Sequence, residues 1–439
     1  DRIRTTAATL PPVRVAIHGA HVRFSREGDP TPSVGGLANI DATFARDAAT
    51  GRLEGRAVFE CPELTTVRNE LTVDTDPAAG TTTLTLRGTR LPLSPYRDML
   101  PTWLLADTET ALAETDVTVV LSGTERRLAV QGRLAVSRAG LMLPSVASVP
   151  LKSLDAGLSG SLTFDWGTAE VRIEDARASL GAIRVPFNAS VLALSTYPKV
   201  AVHASVERVR APDLVDSIPP EAIVALEGVR LDGSFAATFL LEFDTRDLSA
   251  LRLDFKPDVA DLLTLDLGRS VNLELLRREF THKIRTAAGD VVTRTIGPAS
   301  PDWVPLDEVP RALIDALVTG EDAQFFSHRG FSMGGVRRSA QVNLERGGFY
   351  QGAGTVSQQL VKNLFLSHEK TISRKVQEVF ITWQLERTLP KEKILELYLN
   401  VIEWGPDVWG LRQAALHYFG KAPAELSLME SAFLVSIIP

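Results

Sequence analysis

The chain has 439 residues, more than one ordinary core can serve, so two or three domains are expected. Its 44% hydrophobic and 23% charged content excludes a disordered or collagen-like chain, and a net charge of −7 argues against bulk binding of nucleic acid. Cys61 is the single cysteine, which excludes an internal disulfide and reads as a small core residue.

No run reaches the roughly 18 uncharged apolar residues of a membrane-spanning helix. The opening "DRIRTTAATL" has neither a Met nor a signal-type apolar core, so an anchoring segment is expected before Asp1. The closing "LMESAFLVSIIP" reads as a helix cut at Pro439, and the chain is treated as a fragment.

From Val13 to about residue 255, short runs such as "VRVAIHGAHVRF", "TTTLTLRGTRL" and "GSLTFDWGTAEVRIED" alternate apolar and polar residues between turn formers. Period two with β-branched enrichment predicts strands. Two features recur at an offset of about 120. "IHGAHVRF" at Ile17 is echoed by "VSRAGLML" at Val136, and "LPLSPYRDMLP" (91–101) by "APDLVDSIPP" (211–220). Two tandem β-rich repeats, 1–130 and 131–255, are the natural parse, each with a Pro-bounded short helix.

Residues 256–300, with the basic, proline-bearing "RREFTHKIRTAAGDVVTRTIGP", read as a connector with a turn at "AAGD". From Arg311 onward the period becomes three and four, and an all-α domain is expected over 301–439.

Three stretches of that domain gather polar groups. In "GEDAQFFSHRGF" a helix would bring Glu321, Phe325 and His328 to one face, although Glu321 and Asp322 also suit a helix N-terminus and His328 a helix end. In "GAGTVSQQLVKNLFL", Thr355 caps an amphipathic helix on which Gln359, Lys362 and Asn363 stand together. A solvated face is the plain alternative, yet it would more often carry Glu/Lys pairs than adjacent glutamines. In "KTISRKVQEVF", Arg374 and Glu378 are spaced for an intrahelical ion pair, or for the edge of an anion site. "KEKILELYLN" and "GLRQAALHYFGK" have core spacing. The sequence shows no His/Cys metal cluster and no phosphate-binding glycine loop.

In order, "EDAQFFSHRG", "GAGTVSQQLVKNLFLS", "RKVQEVFITWQLE", "KILELYLN" and "GLRQAALHYFGK" resemble the five motifs of the peptidoglycan glycosyltransferase family, the lysozyme-like domain of class A penicillin-binding proteins and monofunctional transglycosylases. "DWVPLDEVP" (302–310) resembles the family's lead-in, and the match spans about residues 300–439. The resemblance implies an inverting transferase that polymerises lipid II on the outer side of the cytoplasmic membrane. It implies Glu321 as general base, with His328 shaping its site alongside Asp322 and Phe325. Arg338, Lys362, Lys370, Arg374 and Lys375 would face pyrophosphate, and Thr355, Gln358, Gln359 and Asn363 would line the substrate path. Glu378 would hold the donor side, through a divalent cation such as Mg or Mn if a metal takes part. No cofactor is otherwise required.

Two departures stand out: Ser332 where the family has Asp, and Gly354 where it has Ser. No SxxK motif in a helical setting supports cross-linking activity. The β-rich half resembles the repetitive regions of AsmA-type envelope proteins, which implies an envelope protein or lipid as its partner. A degenerate scaffold and a lysozyme-like hydrolase are the rival readings. The set of basic residues has no use in hydrolysis, and joint retention of Glu321, Lys362, Arg374 and Glu378 argues against decay.

Overall fold

The structure, a computed structural model, describes residues 13–24, 35–61, 64–93, 101, 103–104, 110–286, 288–367 and 369–438. The chain divides into two units: residues 1–221 with 231–263, and residues 222–230 with 264–439.

The first unit is built on one antiparallel sheet of thirteen strands. Its first six strands are β1 (Arg14–Phe24), β2 (Gly35–Arg46), β3 (Leu53–Cys61), β4 (Leu64–Asp76), β5 (Thr81–Pro92) and β6 (Leu112–Ser122). Next come β7 (Arg127–Leu141), β8 (Leu151–Asp165), β9 (Glu170–Leu180), β10 (Ile183–Leu192) and β11 (Lys199–Arg210). After helix α1 (Ala211–Asp216) and the short β12 (Val229–Asp232), β13 (Ser234–Asp244) and β14 (Asp247–Asp258) complete it. Strands pair in sequence order, with β12 leaving to pair with β15 (Leu263–Leu267).

Hairpin turns follow from aspartates whose carboxylates accept backbone N–H groups two and three residues on: Asp47 from Ala49 and Thr50, Asp76 from Ala78 and Ala79, Asp165 from Gly167 and Thr168. These bonds hold the Asp47 and Asp165 carboxyls below the usual Asp range.

The period-two pattern makes the sheet two-faced. One register row runs Val15, Phe44, Gly55, Val73, Leu84, Val119, Val130, Leu162, Ile173, Ala189, Val202, Leu241 and Leu253, apolar on every strand. Large side chains of this face stay open to solvent, Leu84 at 42%, Leu134 at 49% and Leu158 at 52%. The opposite face carries ion pairs between neighbouring strands, Arg56 with Glu70 and Arg87 with Asp116 among them.

Residue 130 lies inside β7, and the sheet runs through it unbroken. Register shifts nonetheless recur. One in β1 between Ile17 and Ala20 returns 119 positions later in β7 between Val136 and Ala139, and one in β5 between Gly88 and Leu91 returns 118 positions later in β11. At the first pair, Gly19 and Arg138 both have positive φ, and both amides donate to an aspartate of the following strand, Asp41 and Asp155. The expected helix at 91–101 falls mostly outside the described residues, whereas that at 211–220 is α1. Cys61 is buried, within 3.9 Å of the Asn69 amide.

After residues 222–230 and 264–277, the second unit continues with the hairpin β16 (Phe280–Arg285) and β17 (Val291–Ile296), closed at Thr286–Asp290 where a turn was expected. Seven α-helices follow among the described residues: α2 (Arg311–Glu321), α3 (Met333–Arg346), α4 (Val356–Phe365), α5 (Ile372–Thr388), α6 (Lys391–Val401), α7 (Leu411–Phe419) and α8 (Leu428–Ser436). The unit is not all-α. Strands β18 (Glu403–Gly405) and β19 (Val408–Trp409) form a ribbon around Pro406 and Asp407, whose positive φ (60°) turns the chain.

Helix α2 buries Leu313 and Leu317 completely, and its packing partner α8 buries Leu434. Each such leucine contributes roughly 1.5–3 kcal/mol. Segments 222–230 and 264–277, on the N-terminal side of the predicted helical region, bond to α5. Ala225 N–H donates to Gln377 Oε1 (2.7 Å), Gln384 Nε2 to Thr264 Oγ1 (2.6 Å), and Arg277 to the Thr388 carbonyl (2.6 Å). Asn400 of α6 pins the lead-in strand by accepting from Val304 N–H (2.8 Å) and donating to its carbonyl (2.9 Å).

Candidate active site

Glu321 is the last residue of α2, and the chain turns immediately after it, so the expected helix through Phe325 and His328 does not form. Asp322 adopts φ −157°, and its carboxylate turns inward to accept Val356 N–H at the start of α4 (3.1 Å) and to meet His328 Nε2 (2.9 Å). Burial of that carboxylate among donors outcompetes helix continuation. His328 Nδ1 accepts Gly330 N–H (3.0 Å), so the ring proton sits on Nε2 and is donated to Asp322. Phe325 is fully buried between the edges of Phe326 and His328, with Lys391 Nζ 4.3 Å above its ring.

Helix α4 starts with a capping box. Thr355 Oγ1 accepts Gln358 N–H (3.2 Å), and Gln358 Oε1 accepts Thr355 N–H (3.1 Å). Thr355 Oγ1 also donates to the Gly330 carbonyl (2.7 Å), and Gln358 Nε2 reaches Glu378 (3.2 Å). Val356, Leu360 and Val361 bury the opposite side of the helix at 0% exposure. Asn363 closes on its own helix by donating to the Gln359 carbonyl (2.8 Å).

Glu378 of α5 is buried, and both oxygens face cations: Arg374 at 2.5 Å and Lys375 at 2.5 Å. Such a carboxylate has no room left for a divalent ion, so the arrangement does not fit a metal there. Among the described residues no group of three or more His, Cys, Asp or Glu is placed to hold one. Glu378 instead orients Arg374, whose Nε is buried without a partner among the described residues.

The set therefore divides. Asp322, Phe325, Thr355, Gln358 and Glu378 are buried and engaged within the protein, as is the His328 side chain (9% exposed). Glu321, Gln359, Arg338, Lys362, Lys370, Arg374 and Lys375 keep solvent access. The side chains of Arg338, Lys362 and Lys370 have no hydrogen-bond or ion-pair partner among the described residues. Glu321 Oε2 accepts from Gln359 Nε2 (2.8 Å), and Gln359 Oε1 accepts from Tyr398 Oη (2.8 Å).

Tyr398 was missed by sequence reasoning, as was the trio Ser357, Glu386 and Lys391, in which Ser357 Oγ and Lys391 Nζ (2.8 Å) both meet Glu386. A fully buried tyrosine must find a partner for its hydroxyl, and that was the available signal. The departures are mild in place. Ser332 caps α3 by accepting Gly335 N–H (3.0 Å), work an Asp would do equally, and a Cβ at Gly354 would meet nothing within 4 Å.

A family model described as "Transglycosylase" matches residues 288–439. A biosynthetic peptidoglycan transglycosylase of Acinetobacter baumannii is 38% identical over 162 residues, which cover 36% of this chain and 72% of that protein. The chain belongs to the transglycosylase family. Relatives of the same name from Nitrosospira multiformis (44% over 137 residues) and Nitrosomonas eutropha (47% over 136) each match 31% of this chain. The chain spans 60% and 56% of those two proteins. In this transglycosylase unit all five motifs and the lead-in lie inside the matched region, and the β-rich unit lies wholly outside it.

Proposed function

We propose that the transglycosylase unit polymerises peptidoglycan glycan strands from lipid II, outside the cytoplasmic membrane. The observation that carries this reading is Glu321, a solvent-reachable carboxylate fixed by Gln359, in a unit that also holds the cations Arg338, Lys362 and Lys370, whose side chains have no partner among the described residues. In the reaction the acceptor 4-hydroxyl oxygen bonds to the donor's anomeric carbon with inversion, and the bond from that carbon to the pyrophosphate oxygen breaks. Glu321 takes the hydroxyl proton as general base. Pyrophosphate leaves as an anion, so no second carboxyl acid is needed, unlike in glycosidases. The cations, with Arg374 oriented by Glu378, meet the charge that develops on the leaving group. No cofactor is required. The test is conversion of labelled lipid II to strands by the protein. Cleavage of preformed glycan instead would favour the hydrolase reading, and binding without turnover the scaffold.

For a membrane-facing substrate, the loop after α3 offers Phe349 and Tyr350 at 86% and 62% exposure, with Arg346 5.6 Å from the Tyr350 ring. Aromatic and basic groups together suit a headgroup interface.

The β-rich unit reads as two six-strand repeats, β1–β6 and then β7–β11 with β13, followed by β14, a reading supported by the register shifts that recur about 119 positions apart. Its apolar face supports hydrocarbon chains of envelope lipid as the ligand, because exposed apolar surface on this scale marks a binding face and this row carries no charge to select a polar partner. A fluorescent C18 fatty acid is expected to bind, with Leu134→Asp/Leu158→Asp weakening it at least about tenfold, since covering two half-exposed leucines contributes on the order of 1.5–3 kcal/mol. Binding unchanged by the pair would sink the lipid reading.

A further inference from the structure

We propose that Tyr398 is a positioning residue for glycosyl transfer, acting through the Gln359 side-chain amide on Glu321. The inference rests on the reading of Glu321 as the base. Three side chains from three helices form the chain: Tyr398 Oη donates to Gln359 Oε1 at 2.8 Å, and Gln359 Nε2 donates to Glu321 Oε2 at 2.8 Å.

The direction of each bond follows from chemistry. Tyr398 is completely buried, and burial, then the charges of Glu321 and Asp322, push its hydroxyl far above the ordinary tyrosine range. It therefore stays protonated at any working pH and has a proton to give. Donation to Oε1 fixes which end of the amide faces the base. A flipped amide would set its carbonyl oxygen against the Glu321 carboxylate, acceptor against acceptor. A lone glutamine on a half-exposed helix face would sample both orientations and several rotamers. The phenol removes that freedom, so the carboxylate is held in one position in its charged form, ready to receive the acceptor's proton. A plain packing role does not account for the hydroxyl, since phenylalanine would fill the same volume.

The experiment uses the full chain, lipid II, and the variants Tyr398→Phe, Gln359→Leu and the double substitution. Tyr398→Phe is expected to lower kcat about tenfold while KM stays within twofold. The acidic limb of kcat against pH should move to higher pH, because the base loses a hydrogen bond that its charged form receives. The double variant should be no slower than Gln359→Leu, since Tyr398 has nothing to act through once the amide is gone. Losses that multiply in the double variant, or an unchanged kcat and pH profile in Tyr398→Phe, would overturn the relay while leaving the base assignment standing. If Glu321→Gln remains active, the base assignment itself falls. Should the Phe variant not fold, Gln359→Met reads the same link, and an unmoved acidic limb there contradicts it.

Discussion

Asp322 and His328 meet at 2.9 Å in the interior of the helical unit, with side chains 2% and 9% exposed, and the geometry fixes both partners. The imidazole proton on Nε2 points at Asp322, because Nδ1 already accepts Gly330 N–H. One carboxylate thereby ties the end of α2 to the loop that follows and to the first amide of α4. Glu321, one residue earlier, is left to face solvent and Gln359.

Asp322→Ala is expected to strand two buried donors, Val356 N–H and His328 Nε2–H. Each costs about 1–3 kcal/mol. Thermal unfolding should show a transition several degrees lower, and transferase activity should fall in parallel with the folded fraction. An unchanged transition would contradict the clamp.

The unpaired cations should act on the substrate and not on the fold. Lys362→Ala and Arg338→Ala are each expected to reduce kcat/KM about 10- to 100-fold, the worth of one hydrogen bond to a charged group, while leaving stability unchanged. Inhibition by inorganic pyrophosphate should weaken in both. Arg374→Ala should additionally destabilise, since it leaves buried Glu378 short of a partner.

Stability should also depend on His282. Burial, then the nearby positive charge of Arg294, lowers its pKa beneath the ordinary 6.5. The unfolded chain then binds this proton more readily than the folded one. The contribution to stability is therefore full above about pH 6.5 and is lost as pH falls through the folded value. Melting temperatures at pH 7.5 and 5 should separate in the parent, and the gap should narrow in His282→Gln. An equal gap in both would remove His282 from the account.

Much of this architecture is legible in the chain because it depends on local period. Alternation of apolar and polar residues names the strands and even their faces, as the row from Val15 to Leu253 illustrates. The helix at 356–365 announces itself through Thr355 and its apolar spacing. What escaped depends on distant pairing. Helix α2 stops at Glu321 because Asp322 finds partners at positions 328 and 356, which no local rule foresees. Segment 222–230 joins the helical unit through Gln377, whose bond from Ala225 N–H spans 152 positions of chain. Tyr398 looks like core filler until Gln359 is placed beside its hydroxyl.

The most direct measurement is strand formation from labelled lipid II by the protein, compared with Glu321→Gln and resolved by glycan length. The account predicts long strands from the parent and a loss of about 10²–10⁴-fold in rate for the variant, the contribution of a positioned general base. Folded Glu321→Gln protein that polymerises at the parent's rate, or a parent that binds lipid II and makes no strands, would contradict it.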